Sequence, residues 1–426
     1  MTARPRRIVI TTWGSFGDLF PYLALGRALL ARGHDVVLAT CPIYRDIVAA
    51  EGLRFHPTRP DVDPNDTALL TRVMDPARGT QAVVKEMLVP ALRDAYADLS
   101  AAAAGADLIV AHPVTFVARV VAEERKLPWL STVLAPTSFF SIHDFPILPP
   151  HVAVAAFARR HRWAARAMRA LAKALTARWL APLHQLRSER DLAPIGHPLF
   201  EGQFSPHGTL ALYSRVLGEP QPDWPARTTV TGFLFRDDQD AMPPELDAFL
   251  SSGPAPIVFT LGSSAVGVPG AFYDESVKAA AALGRRAVLL VGRPQQSIAR
   301  PVVPAGMIAV DYAPHGVLFP RAAAVVHHGG VGTTAQGLRV GCPTLIVPHA
   351  HDQFDNAGRV ERLGLGRTLD ARRYSADAAV PLLRALVGVP PVVARGREIA
   401  AAIAHEDGAA AAVVAVEAVT SPLMAE

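Results

Sequence analysis

The sequence predicts an α/β protein made of two doubly wound, Rossmann-like units facing each other across a cleft. Three observations carry this. Short β-rich runs alternate with Ala- and Leu-rich helical runs, and the alternation occurs twice along the chain. A proline- and turn-rich stretch, Gly218 to Pro256, separates the two series. The chain has 426 residues, half of them apolar, enough for two domains of about 150 to 200 residues.

The first series opens with IVITT (8–12), a helix through PYLALGRALLARG (21–33), DVVLAT (35–40) and IYRDIVAAEG (43–52). Glycine at the helix ends and βαβα order are the marks of a parallel sheet covered on both faces. LIVAH (108–112) and WLSTVL (129–134) add strands. The second series runs through IVFTLG (257–262), RAVLLVG (286–292), MIAVDY (307–312), AAVVHH (323–328) and PTLIVPH (343–349). These runs predict a first domain over 1–227, a second over 228–404, and a C-terminal helix over 405–426 whose docking the sequence leaves open.

Composition narrows the function classes. Lys plus Arg (42) against Asp plus Glu (38) gives a net charge of +4, too slight to argue for a nucleic-acid partner. The two cysteines, Cys41 and Cys342, cannot build a disulfide framework, so a reducing cytoplasmic setting is expected. The apolar run after Arg4, Arg6 and Arg7 is too short for a secretory segment, and no stretch approaches the roughly 20 apolar residues that span a bilayer.

The strongest local signal is HHGGVGTTAQGL (327–338), directly after an apolar strand. Gly329, Gly330 and Gly332 allow a tight turn and close approach of a ligand. Thr333 then opens a helix whose free N–H groups suit a phosphate, with His327 as a further donor. A plain glycine-rich turn is the alternative. The next strand leads into VPHAHDQFDNAGR (347–359), which sets Asp352, Gln353 and Asn356 at the carboxyl end of the sheet, where polar groups face a cleft. A carboxylate beside an amide can bracket vicinal sugar hydroxyls. His327, His328, His349 and His351 with Asp352 and Asp355 also resemble metal-ligand material, but adjacent strand residues point to opposite faces, so no metal site is expected.

Residues 312–357 resemble the donor-binding signature of nucleotide-sugar glycosyltransferases of the GT-B fold, a superfamily that includes plant secondary-metabolite, sterol, macrolide and rhamnolipid glycosyltransferases. The resemblance extends to the GSFGD loop and to DWPARTTVTGF (223–233). It implies that His327, Gly330, Gly332 and Thr333 contact the donor diphosphate and that Asp352 and Gln353 hold the sugar. Tyr312 sits where plant relatives carry a base-stacking tryptophan. LGSSAVG (261–267) matches a phosphate loop and nominates Ser263 and Ser264. In GSFGDLFP (14–21), Gly14 joins the donor set, and Asp18 stands where plant relatives have a histidine base. An aspartate in a first helical turn is also an ordinary dipole partner. As a base it would take its proton late, because a carboxyl of pKa near 4 is weakly basic toward an alcohol.

Phe20, Phe116, Phe139, Phe140 and Phe145 fall near predicted cleft loops, with His112 and His143 beside them, which points to a hydrophobic acceptor. The expected activity is inverting transfer of a hexose or deoxyhexose from a UDP- or dTDP-sugar, the co-substrate, to a hydroxyl of a lipid, sterol or polyketide, with no cofactor. A nucleotide-sugar 2-epimerase and a non-catalytic lipid- or sugar-binding homologue are the alternatives. Finally, residues 151–188 carry eight Arg and Lys and no acid, and Phe157, Met168, Leu171, Leu175 and Trp179 fall on one helical arc. A basic amphipathic helix or helix pair follows. It suits either contact with the inner face of a membrane or an ordinary domain helix with its apolar arc in the core and its arginines solvated.

Overall fold

The computed structural model describes residues 4–63, 66–236, 241–292 and 301–419, without the side chain of Ser264. The first sheet contains β1 (Arg7–Thr11), β2 (Asp35–Thr40), β3 (Arg54–Pro57), β4 (Leu108–Ala111), β5 (Trp129–Val133), β6 (Thr209–Ala211) and β7 (Thr228–Val230), in the order β3-β2-β1-β4-β5-β6-β7. The second contains β8 (Ile257–Thr260), β9 (Ala287–Leu290), β10 (Met307–Val310), β11 (Ala324–His327), β12 (Thr344–Ile346) and β13 (Gly366–Thr368), in the order β10-β9-β8-β11-β12-β13. Every pairing is parallel.

The central strands are apolar on both faces because helices cover both. Ile8 and Ile10 of β1 enter one core with Leu19 and Leu23 of the first helix (Phe16–Ala31), while Val9 enters the opposite core with Val117 and Val121 of the helix Val117–Glu124. In β11, Val325 and Val326 divide between two cores in the same way.

The domain boundary lies later than the sequence suggests. Thr228–Val230 pairs with Thr209–Ala211 as the edge strand of the first sheet, so the first domain extends past 227. The proline-rich run before it is likewise part of this domain. Trp224 stacks on Phe139 at 3.9 Å, and Asp223 holds Ser141 and the Ile142 N–H.

The C-terminal segment returns to the first domain. The helix Pro390–Ala404 meets the second domain at a glycine contact, where a Cβ on Gly341 would lie 2.2 Å from the Gly396 carbonyl. After His405–Asp407 the helix Gly408–Val419 buries Ala412, Val413 and Val416 in the core of the first helix, and Glu417 binds Arg32. By length and mean hydropathy (1.5), Pro390–Val419 could cross a membrane, but it is broken at His405–Asp407 and each half packs on a domain.

Candidate active site

In an open parallel sheet, ligands gather at the carboxyl ends of strands where the strand order reverses. The first sheet reverses between β1 and β4, and the second between β8 and β11. The loops leaving those four strands are GSFGD, HPVTF, LGSSA and HHGGVGTT, the segments that the sequence marks for chemistry. The two reversal points confront each other: a Cβ added to Gly332 would lie 3.6 Å from the Gly17 Cα.

On the first-domain lip, Asp18 folds back over its own loop. Its Oδ2 accepts from the Ser15 N–H (2.8 Å) and Ser15 Oγ (3.0 Å), and its Oδ1 lies 3.5 Å from His112 Nε2. Gly14, at φ +139°, makes this possible, since a Cβ there would stand 2.4 Å from Oδ2. The structure thus gives Gly14 a role in seating Asp18. His112 Nδ1 accepts from the Val114 N–H (3.3 Å), which leaves the ring proton on Nε2, aimed at Asp18. Burial pushes the Asp18 pKa up, but the His112 hydrogen bond and charge and the Ser15 donors outweigh it, and the carboxyl ends below its ordinary value. His112, expected at the acceptor, is therefore a partner of Asp18.

On the second-domain lip, His327 ends β11 and His328 follows it into the glycine turn. His327 is 0% exposed. Its Nδ1 accepts from the Gly329 N–H (3.1 Å), and its Nε2 is buried with no partner among the described residues. The His328 ring is wedged between both glycine turns: a Cβ on Gly262 would meet it at 2.4 Å, and one on Gly330 would come within 2.4 Å of its Nε2. Burial drives both histidines far toward the neutral form, His327 to about 3, with neighbouring histidines adding to the effect at His328. Each is a neutral N–H donor, not a cation. Thr333 lies in the first turn of the helix Val331–Arg339, beside Gly332. Ser263 lies in the short helix Gly262–Ala265 opposite it, while the Ser264 side chain is outside the described residues.

Asp352 caps the helix Gln353–Arg362 and accepts from Asn356 Nδ2 (2.8 Å). Burial raises its pKa to about 7, and the nearby negative charge of Asp18 adds to the rise. The two carboxylates, one from each domain, are near enough for their charges to interact. Gln353 spends its Oε1 on the His349 and Ala350 N–H groups (2.8 and 3.0 Å). His351, at φ +55°, reaches Thr80 of the first domain (3.3 Å). Tyr312 follows edge strand β10, partly exposed. Among the described residues, no three His, Cys, Asp or Glu side chains gather to hold a metal.

The expected acceptor residues do not form one wall. Phe116 and His112 line the same cavity, with Thr115 and Ile195. Phe20 lies on the opposite face of the sheet, stacked on Phe16 at 5.2 Å with Arg236 over its ring. Phe139 is 5% exposed between Trp224 and Phe204, a core residue. His143 is partly exposed in the loop that Asp223 and Ser141 pin.

That loop is also clamped by residues the sequence did not single out as a group. Asp355, 0% exposed, accepts from Thr137 Oγ1 (3.1 Å), the Ile147 N–H (3.0 Å), Arg159 (3.2 Å) and Arg359 (2.6 Å). Arg359 donates to Asp144 (2.6 Å), which also pairs with Arg159. Two arginines and two aspartates from both domains thus tie the helix that begins at Asp352 to the loop 137–147. Partners more than 190 positions apart leave no local pattern in a sequence.

Two parallel-sheet domains that face each other through these turns define a glycosyltransferase of the GT-B type. Residues 8–142 match the glycosyltransferase family 28 N-terminal domain, and residues 276–419 match the erythromycin biosynthesis protein CIII-like C-terminal domain. The chain is 34% identical over 435 residues to the O-mycaminosyltylonolide 6-deoxyallosyltransferase of Streptomyces fradiae, covering 96% of this chain and 97% of that one. It is 29% identical over 430 residues to a sterol 3-beta-glucosyltransferase of Arabidopsis thaliana, covering 96% and 67%. In fold it matches the glycotransferase of kitacinnamycin (TM-score 0.72, 23% identity, 96% and 98% covered) and VinC, solved with dTDP (0.63, 22%, 94% and 96%). The chain belongs to this glycosyltransferase family.

Proposed function

We propose that the enzyme transfers a deoxyhexose from a dTDP-sugar to a hydroxyl of a hydrophobic, macrolide-like acceptor with inversion. The observation that carries this reading is the confrontation of the two reversal points, one bearing Asp18 and the other a glycine turn with a helix N-terminus. The relative from Streptomyces is a deoxyallosyltransferase, and VinC was solved with dTDP, both of which favour this donor class. The alternatives of a UDP-hexose and a sterol acceptor are arms of the test below.

In this reading the acceptor oxygen attacks the anomeric carbon as the bond to the diphosphate oxygen breaks. The acceptor proton passes to the Asp18 carboxylate, late, because that carboxyl is a weak base. The released electron pair stays on the diphosphate, where the N–H groups that open at Val331 and the His328 ring meet the growing charge. The helix terminus does there what a divalent cation does in other transferases, so chelation with EDTA leaves the rate unchanged.

The test offers dTDP- and UDP-sugars against macrolactone, sterol and lipid alcohols, with mass spectrometry of the product. A deoxyhexose adduct on the macrolactone is expected. Nucleoside diphosphate release that ignores the acceptor, or donor binding with no turnover, refutes the proposal.

A further inference from the structure

The helix pair Val152–Arg160 and Arg162–Thr176, jointed at an extended His161, faces the opposite way from a solvent-covering helix. Its large apolar side chains point out: Val154 is 52% exposed, Phe157 48%, Trp163 66%, Leu171 58% and Leu175 67%. Much of its charge points in. Arg159 joins the Asp144–Asp355 cluster, Arg169 pairs with Asp223 (3.5 Å) and Lys173 with Glu201 (2.6 Å). A small cluster of Phe145, Ala158, Ala164 and Ala165 lies beneath, with Ile142 and Met168 packed against it. Neither solvated arginines over a buried apolar arc nor a tally of charge along the chain describes this arrangement.

The outward face is continuous. The Phe157 ring lies 4.4 Å from His161 and 6.0 Å from Trp163, which bridges the joint. At about 100° per residue, Trp163, Ala167, Ala170, Leu171 and Ala174 share one arc. Arg162 and Arg166 flank it on one side, and Arg160 and Arg178 lie at the two ends of the helix; all four are exposed, and no ion pair to them is found among the described residues. An apolar face of this extent, with an aromatic centre and a cationic rim, has a use.

We propose that this face docks on an anionic lipid surface, with Trp163, Phe157, Leu171 and Leu175 entering the headgroup boundary and the four arginines meeting lipid phosphates. Charge selects this occupant. A second copy on a two-fold axis would set the same arginine rim against itself. A lipid surface supplies opposite charge all round an apolar interior. Docking would bring the 137–147 loop beneath the helices to the bilayer, the side from which a hydrophobic acceptor arrives.

Flotation of the full-length enzyme with phosphatidylcholine vesicles, with and without phosphatidylglycerol, tests this. Binding is expected only with the anionic lipid, and it weakens as salt is raised. Replacing the four arginines by Glu lowers it by roughly 600-fold or more, at about fivefold per lost cation. Trp163→Glu with Leu171→Glu and Leu175→Glu abolishes it. Both variant sets keep their thermal transition and their turnover of a water-soluble acceptor, which separates this proposal from the assignment of the active site. Equal binding to neutral vesicles, no binding at all, or a concentration-dependent dimer that the Trp163→Glu set dissolves would overturn it.

Discussion

Asp18 and Asp352 are carboxylates on opposite lips of one cleft, displaced in opposite directions from the ordinary range. Both are pushed up by burial. Asp18 recovers because it receives two donors from Ser15 and the His112 N–H, whereas Asp352 has the Asn356 amide and feels the Asp18 charge. The number of donors, not depth, decides which one stays ionised. One carboxylate is thereby held ionised on the first-domain lip, and the other is left near half-protonation at neutral pH on the second-domain lip.

Replacing Asp18 by Asn should break this contrast most severely. It keeps the shape and removes the base, so turnover should fall by about 100- to 10,000-fold, while donor affinity, read by calorimetry, holds. Loss of donor binding instead would place Asp18 in donor recognition and leave the base to be found elsewhere.

The next effect separates neighbouring histidines. His328→Ala removes a donor wedged between the two glycine turns and should cost about 100- to 1000-fold in turnover with folding intact. His327→Ala takes away a fully buried ring, so its loss should register in the thermal transition, at about 1 to 3 kcal/mol. If His327→Ala lowers turnover alone, the outer contact belongs to His327.

The turns of the site are legible in the sequence, whereas the directions of its side chains are not. Both reversal points are legible because an apolar run followed by glycine and a polar helix start is a local pattern. The choice between His327 and His328 depends on how β11 ends, since one residue flips the face. Phe20 and Phe116 are both apolar and near loops, yet they lie on opposite sides of a sheet, which only the helix packing reveals. In residues 152–176 the segregation of charged and apolar arcs is readable, but which arc faces the protein is set by Asp223, Glu201 and Asp144, all far from most of that segment in sequence. The docking of Gly408–Val419 is hidden for a simpler reason: Ala and Val on every face mark no preferred side.

The smallest effect is at Asp352 and has two readouts of opposite sign. Its folded pKa of about 7 lies above the unfolded carboxyl near 4. Between those values the native state holds a proton that the unfolded chain has released, so the contribution to stability is full below about pH 4 and is lost as pH rises to 7. Asp352→Asn cannot ionise, so its melting temperature should exceed that of the wild type at pH 8 and match it near pH 4. Each kcal/mol relieved appears as roughly 2 to 4 °C in domains of this size. Donor use should move the other way: with Asp352 assigned to the sugar hydroxyls, its ionised form is the acceptor, so kcat/KM for the donor should rise through pH 7 in the wild type and stay low and flat in the variant. A variant that gains stability at pH 8 and keeps the wild-type donor profile would remove Asp352 from sugar binding without disturbing the role of Asp18.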